Sequence, residues 1–229
     1  MKAVTIMGLG YVGLPLACLC AEKCIDVYGV DTDKTRADLI NQGISPIDDL
    51  ELKASVKRAK GKIRVVSPKD AIKNSEAVIV CVPTPVDENH LPDLAALNSA
   101  CETIAKSLRN NMLVVIESTI FPGTVEEICL PILKKSNAKF YLAHCPERID
   151  PGNKKFTIRN IPRVVAGIDR ESTKKAAEFY RKIIEADILE LSSVKAAEAT
   201  KIMENTFRDI NIAFVNEMAK SFDKAGIDV

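Results

Sequence analysis

The 229-residue chain has no surplus of charge, no metal-type cysteine pairing and no convincing signal-peptide cleavage site, and each absence removes a class of function. Its 32 basic and 31 acidic residues leave a net charge of +1. No overall field therefore draws it to nucleic acid or to an anionic membrane, and neither is expected as a partner. The seven cysteines, Cys18, Cys20, Cys24, Cys81, Cys101, Cys129 and Cys145, contain no C-x-x-C spacing, so no metal site is expected. An odd count without a secretion signal fits reduced thiols, most of them small core hydrophobes. The run from Lys2 through Ala21 is apolar enough to pass for a signal peptide, but three glycines and Pro15 interrupt it and Glu22-Lys23 leads on. A soluble, cytoplasmic protein of one large or two small domains is expected.

What is present begins with Met1 to Asp31. Ala3 to Met7 is an apolar run fit for a buried strand, and Gly8-Leu9-Gly10-Tyr11-Val12-Gly13 supplies G-x-G-x-x-G spacing. In that spacing Gly8 allows a tight turn, Gly10 lets backbone approach a pyrophosphate, and Gly13 lets the following helix sit close to the strand. The helix N-terminus offers free N–H groups to phosphate. Asp26 to Asp31 reads as the next strand, ending in an acid where an adenosine ribose presents its hydroxyls. A carboxylate there repels a 2′-phosphate and favours NAD over NADP, with Arg36 close enough to temper the preference. Asp31 and Asp33 also suit the cap of a helix starting near Lys34.

Further strands are expected at 63–66, 76–82, 112–116, 140–143, 163–167 and 188–191, alternating with helices, one of them running from Pro122 through Leu133. This pattern predicts an α/β fold: a doubly wound, Rossmann-type, mostly parallel sheet over residues 1–192, followed by a long central helix over 193–229. Ligands of such sheets bind at the carboxyl ends of the strands. The loops there are Pro83-Thr84-Pro85, which also reads as a merely rigid connection, Glu117 to Thr124, and His144 to Gly152.

Ser193 to Ala225 reads as one helix about 50 Å long. Phe207, Ile210, Ile212, Phe214, Val215, Met218 and Phe222 spread around several of its faces, so it needs cover on several sides. Lys201, Asn205 and Arg208 are spaced by four and then three, on one face. A surface salt-bridge stripe is the usual alternative, weakened here because the stripe enters the apolar middle without interleaved acids.

These motifs, GLGYVGLP at 8–15, VPTP at 82–85, ESTIFPGT at 117–124, PER at 146–148 and AEATKIMENTFRDINIAFVNE at 197–217, resemble the N-terminal portion of the UDP-glucose/GDP-mannose 6-dehydrogenase family. The resemblance covers essentially the whole chain. The FRDINIAFVNE stretch and the arginine of PER look most like the branch acting on UDP-N-acetylhexosamines such as UDP-N-acetylmannosamine.

The resemblance implies oxidation of a sugar C6 alcohol to the acid by two hydride transfers to NAD, through a thiohemiacetal and a thioester on a cysteine. It assigns proton transfer and oxyanion stabilisation to Lys201, a hydrogen bond to the same oxygen to Asn205, help with thioester hydrolysis to Glu147, and a place beside nicotinamide and water to Thr119. Substrate contacts fall to Arg148, Ile149 and Arg208 as well as Lys201 and Asn205. Cofactor contacts fall to Tyr11, Val12, Asp31, Arg36, Thr84 and Thr119, beside Gly8, Gly10 and Gly13. A homodimer paired around the central helix is implied too.

The family's nucleophilic cysteine belongs to a glycine-rich motif that does not occur before Val229, nor does the second, UDP-gripping domain. The chain is therefore expected to be an N-terminal part, cut after the central helix, that binds NAD without turning over a UDP-sugar. Cys145, beside Glu147, is the only cysteine expected near the site. Alternatives are a UDP-glucose or UDP-N-acetylglucosamine enzyme, a 3-hydroxyacid dehydrogenase, and a non-catalytic NAD-binding or assembly module. The 3-hydroxyacid enzyme is disfavoured by Val12, where methionine is usual before the last glycine.

Overall fold

A computed structural model describes residues 1–148 and 156–228. The chain runs β1 (Ala3–Met7), α1 (Gly13–Glu22), β2 (Asp26–Val30), α2 (Lys34–Gln42), α3 (Leu50–Arg58), β3 (Ile63–Val65), α4 (Pro68–Lys73), β4 (Ala77–Val80), α5 (Ala95–Ala105) and β5 (Leu113–Ile116). A π-helical turn (Val125–Cys129) then runs into α6 (Leu130–Lys134), followed by β6 (Tyr141–His144), β7 (Arg163–Gly167), α7 (Arg170–Ile183), β8 (Ile188–Glu190) and α8 (Val194–Lys224).

The strands form one sheet in the order β3-β2-β1-β4-β5-β6-β7-β8. Every pairing is parallel except β6 with β7, where Ala143 lies opposite Gly167 and His144 opposite Ala166. The order reverses at β1 and β4, so the cleft that a doubly wound sheet opens there lies beside the glycine turn. β7 runs back from the rim that β6 reaches, so Arg163, its first residue, stands at that rim.

The central strands β1, β4 and β5 are buried on both faces, as their unbroken apolar sequences require. One face is covered by Leu14, Leu16 and Leu19 of α1, Val56 of α3 and Phe179 and Ile183 of α7. The other is covered by Ile72, Leu97, Ile104 and Leu133, and by Val194 and Ala197 from the start of α8. Local chemistry places the helix starts: Asp33, Asp49, Ser67, Asp169 and Ser193 each accept a hydrogen bond from the backbone N–H three residues on.

The helix expected from Pro122 begins later. Pro122 and Gly123 form a turn, with Gly123 at φ +100°, and the first turn is π rather than α. Among the described residues no helix is long and apolar enough to cross a membrane.

Candidate active site

β1 delivers the chain to the rim, where the Gly8 N–H donates to the Val30 carbonyl at 2.8 Å. Gly8 sits at φ +89°, and a Cβ on it would lie 2.6 Å from the Cys81 carbonyl oxygen of the neighbouring strand end. A Cβ on Gly13 would fall 1.8 Å from the Gly8 carbonyl oxygen, so the turn closes only with glycine at both positions. Gly13 thus lies behind the turn and does not line the cleft. Gly10 faces open space, and the first turn of α1 has no side-chain cap, which leaves room and N–H groups for a phosphate.

Asp31 stands one residue past β2. Its carboxylate accepts the Leu9 N–H at 2.8 Å and the Asp33 N–H at 2.9 Å, and Arg36 Nη1 lies 3.2 Å from each of its oxygens. Asp33, not Asp31, caps α2, by accepting the Arg36 N–H. Asp31 and Arg36 are therefore a preformed pair at the cleft wall.

A cavity of about 870 Å³ runs from this pair across the rim to α8. Gly8, Gly10, Tyr11, Val12, Asp31, Arg36, Thr84, Thr119, Glu147, Lys201 and Asn205 all line it. The loops that follow β4 and β5 are tied together, with Thr84 Oγ1 donating to the Thr119 carbonyl at 2.6 Å and Ser118 Oγ to the Val82 carbonyl at 2.7 Å. Burial lowers the Lys201 pKa from the usual lysine value; the carboxylates of Glu147 and Glu204 oppose this, while Arg208 and Arg148 add to it. The result is an amine on a helix, held at a cleft wall and shifted toward the range in which it exchanges protons.

Other expected positions fall elsewhere. Arg148 does not line this cavity: its Nε lies 2.8 and 3.0 Å from the Glu204 carboxylate oxygens, Nη2 contacts the same carboxylate, and Nη1 donates to the Pro162 carbonyl at 2.9 Å. Arg208 lines a separate open depression on α8 with Asn205, Thr206, Asp209 and Ile212. Ile149 lies outside the described residues.

The expectation about cysteines is also corrected. Cys81, at the end of β4, lines the cavity. Cys145 is fully buried below it, its thiol pushed up to about 12 by burial. Burial raises Cys81 well above the thiol range as well, so neither is an activated nucleophile.

Sequence reasoning missed three acids. Glu117 lines the cavity and is held by Arg163 (2.9 Å) and by the Tyr180 hydroxyl (2.5 Å), an ion pair with no exposed side-chain surface. Glu198 and Glu204 stand three residues before and after Lys201, so the lysine stripe does have acids interleaved. That spacing was the signal available.

Fold and cleft together define the NAD-binding domain of a dehydrogenase, with a glycine turn, an acid past the second strand and a lysine-bearing helix around one cavity. The chain belongs to the UDP-glucose/GDP-mannose dehydrogenase family: the family's NAD binding domain matches residues 2–184 and its central domain residues 195–229. It is 40% identical over 98% of its length to the UDP-N-acetyl-D-glucosamine 6-dehydrogenase of Pseudomonas aeruginosa, covering 54% of that protein. It is 39% identical over its full length to the UDP-N-acetyl-D-mannosamine dehydrogenase of Methanocaldococcus jannaschii, covering 53%. Among solved structures, the UDP-D-ManNAc dehydrogenase of Pyrococcus horikoshii superposes with a TM-score of 0.90 at 34% identity, over 98% of this chain and 55% of that one. The chain thus spans about half the length of the curated relatives it matches.

Proposed function

We propose that residues 1–229 form the NAD-binding half of a 6-dehydrogenase that oxidises the C6 alcohol of a UDP-N-acetylhexosamine, with UDP-N-acetylmannosamine the first candidate, to the uronic acid. One observation carries this reading: Thr119, Glu147, Lys201 and Asn205 line the same cavity as the glycine turn and the Asp31–Arg36 pair. NAD, when bound, takes up the hydride from C6.

Lys201 accepts the alcohol proton and then stabilises the oxygen as charge builds, the role its lowered pKa suits. Asn205, one turn along, donates to the same oxygen. Glu147, only 8% exposed, aligns the water that releases the acid, and Thr119 bounds the space between them. Arg148 and Arg208 act at the sugar-nucleotide side.

No described cysteine lining the cavity is activated, so the 229-residue chain alone binds NAD without sustained turnover. That observation also supports a second reading, a non-catalytic NAD-binding module. The uncovered apolar part of α8 is the surface on which a second copy docks.

The test is NADH formation by the product of the full reading frame against UDP-N-acetylmannosamine, UDP-N-acetylglucosamine and UDP-glucose. One of the acetylated sugars is expected to lead. Lys201→Met is expected to lower kcat by at least about 100-fold while NAD affinity stays within about threefold. Turnover that survives the substitution removes Lys201 from the mechanism, and silence with every sugar favours the module.

A further inference from the structure

Lys201 is bracketed by two acids that each reach out of α8 to a different loop. Glu198, fully buried, accepts the backbone N–H of Gly123 at 2.6 Å and of Val125 at 2.8 Å. Glu204 grips Arg148. Residues three apart on a helix share a face, so both contacts fall on the side that carries the amine. Gly123 and Val125 belong to the segment leading from Thr119 into the π turn, and Arg148 directly follows Glu147. Each acid therefore ties α8 to a loop that brings its own residue to the cavity.

The Glu198 contact is more than a helix cap of the ordinary kind. The π turn has no local cap, since Thr124 Oγ1 donates to the Phe121 carbonyl instead. Its first N–H groups are satisfied by a carboxylate more than seventy residues away, at the cost of burying that acid, whose pKa burial raises. Two oxygens engaged by two separate backbone positions resist both rotation and sliding of α8.

We propose that Glu198 is a positioning residue which, with Glu204 as the second point of a clamp, holds the Lys201 amine in the cavity opposite Thr119 and Glu147. Its catalytic meaning rests on the role proposed above for Lys201; the geometry does not.

The charged groups that act most strongly on the amine are Glu147, Glu204, Arg208 and Arg148. Replacing Glu198 by glutamine removes a negative charge from the helix face that carries Lys201, which by itself lowers the lysine pKa, while its amide opposes one of the two N–H donors. A rise in the Lys201 pKa then reports displacement.

The experiment is NMR titration of the 229-residue chain carrying 13C-dimethylated lysines, with the Lys201 signal assigned by Lys201→Arg. Glu198→Gln is expected to move the Lys201 pKa up by about half a unit or more, toward the ordinary lysine value, as the amine gains water. NAD affinity is expected to stay within about threefold, because the glycine turn and Asp31 are untouched. Glu126→Gln, which removes a nearby acid that makes neither bond, is expected to leave the signal in place.

A folded Glu198→Gln chain with a lower Tm and a Lys201 pKa that is unmoved or lowered overturns the proposal and leaves Glu198 a cap only. Should glutamine block folding, Glu198→Asp withdraws the carboxylate by one methylene and is read by the same criterion. Turnover of Lys201→Met is measured separately, so loss of the proton-transfer role leaves this result standing.

Discussion

Val194, Ala197, Glu198 and Lys201 at the start of α8 are buried, while Phe207, Ile210, Ile212, Phe214 and Val215 further along the same helix are each at least 55% exposed. The exposed stretch is the more hydrophobic of the two. Burial here follows from what the chain folds around the helix. Alanines at 196, 197 and 199 let the first turns lie against the sheet face near β6 and β7, and two acids bind them to neighbouring loops. The later turns have bulkier side chains and no opposing element among the described residues. The first stretch completes the cavity, and the second leaves an apolar face exposed.

The largest effect is expected at the packed end. Val194→Asp places a charge where 1% of the side chain is exposed and is expected to cost about 3 kcal/mol or more in urea unfolding. A loss below about 1 kcal/mol would mean that the first turns of α8 are not part of the core.

His144, at the end of β6, sharpens the same contrast. Burial pushes its pKa down to about 4, opposed by the Ile116 carbonyl, which accepts from Nδ1–H at 2.8 Å. The imidazole is thus neutral in the folded chain and binds a proton more readily when unfolded. Its contribution is complete above the unfolded value near pH 6.5 and is lost as pH falls toward 4, by up to about 3 kcal/mol. Unfolding curves across that window are expected to flatten in His144→Asn relative to the native chain; equal slopes would place the loss on other groups.

The smallest effect on stability is expected at the open end. Phe214→Glu is expected to change monomer stability by no more than about 0.5 kcal/mol and to abolish self-association in sedimentation runs. A native chain that stays monomeric at high concentration removes the docking role of this face.

Much of this was legible before the fold. The glycine turn, the acid one residue past β2 and the bounds of α8 are local matters of spacing and capping, and Ser193 begins that helix as a cap residue should. The reversed β7 was not legible, because a short apolar strand has the same composition in either direction. Proximity in sequence misled twice. Cys145 stands two residues from Glu147 yet points into the core, and Arg148 spends its donors on a glutamate 56 residues away.

Sequence alone determined most of the elements, the turn that only glycine can make and the types of side chain at each strand end, because these depend on neighbours within a few residues. Tertiary structure alone decided the direction of β7, the pairing of Glu117 with Arg163 and the grip of Glu198 on the π turn. Those contacts join positions 46 and more than seventy residues apart, and nothing short of the closed sheet brings them within hydrogen-bonding distance.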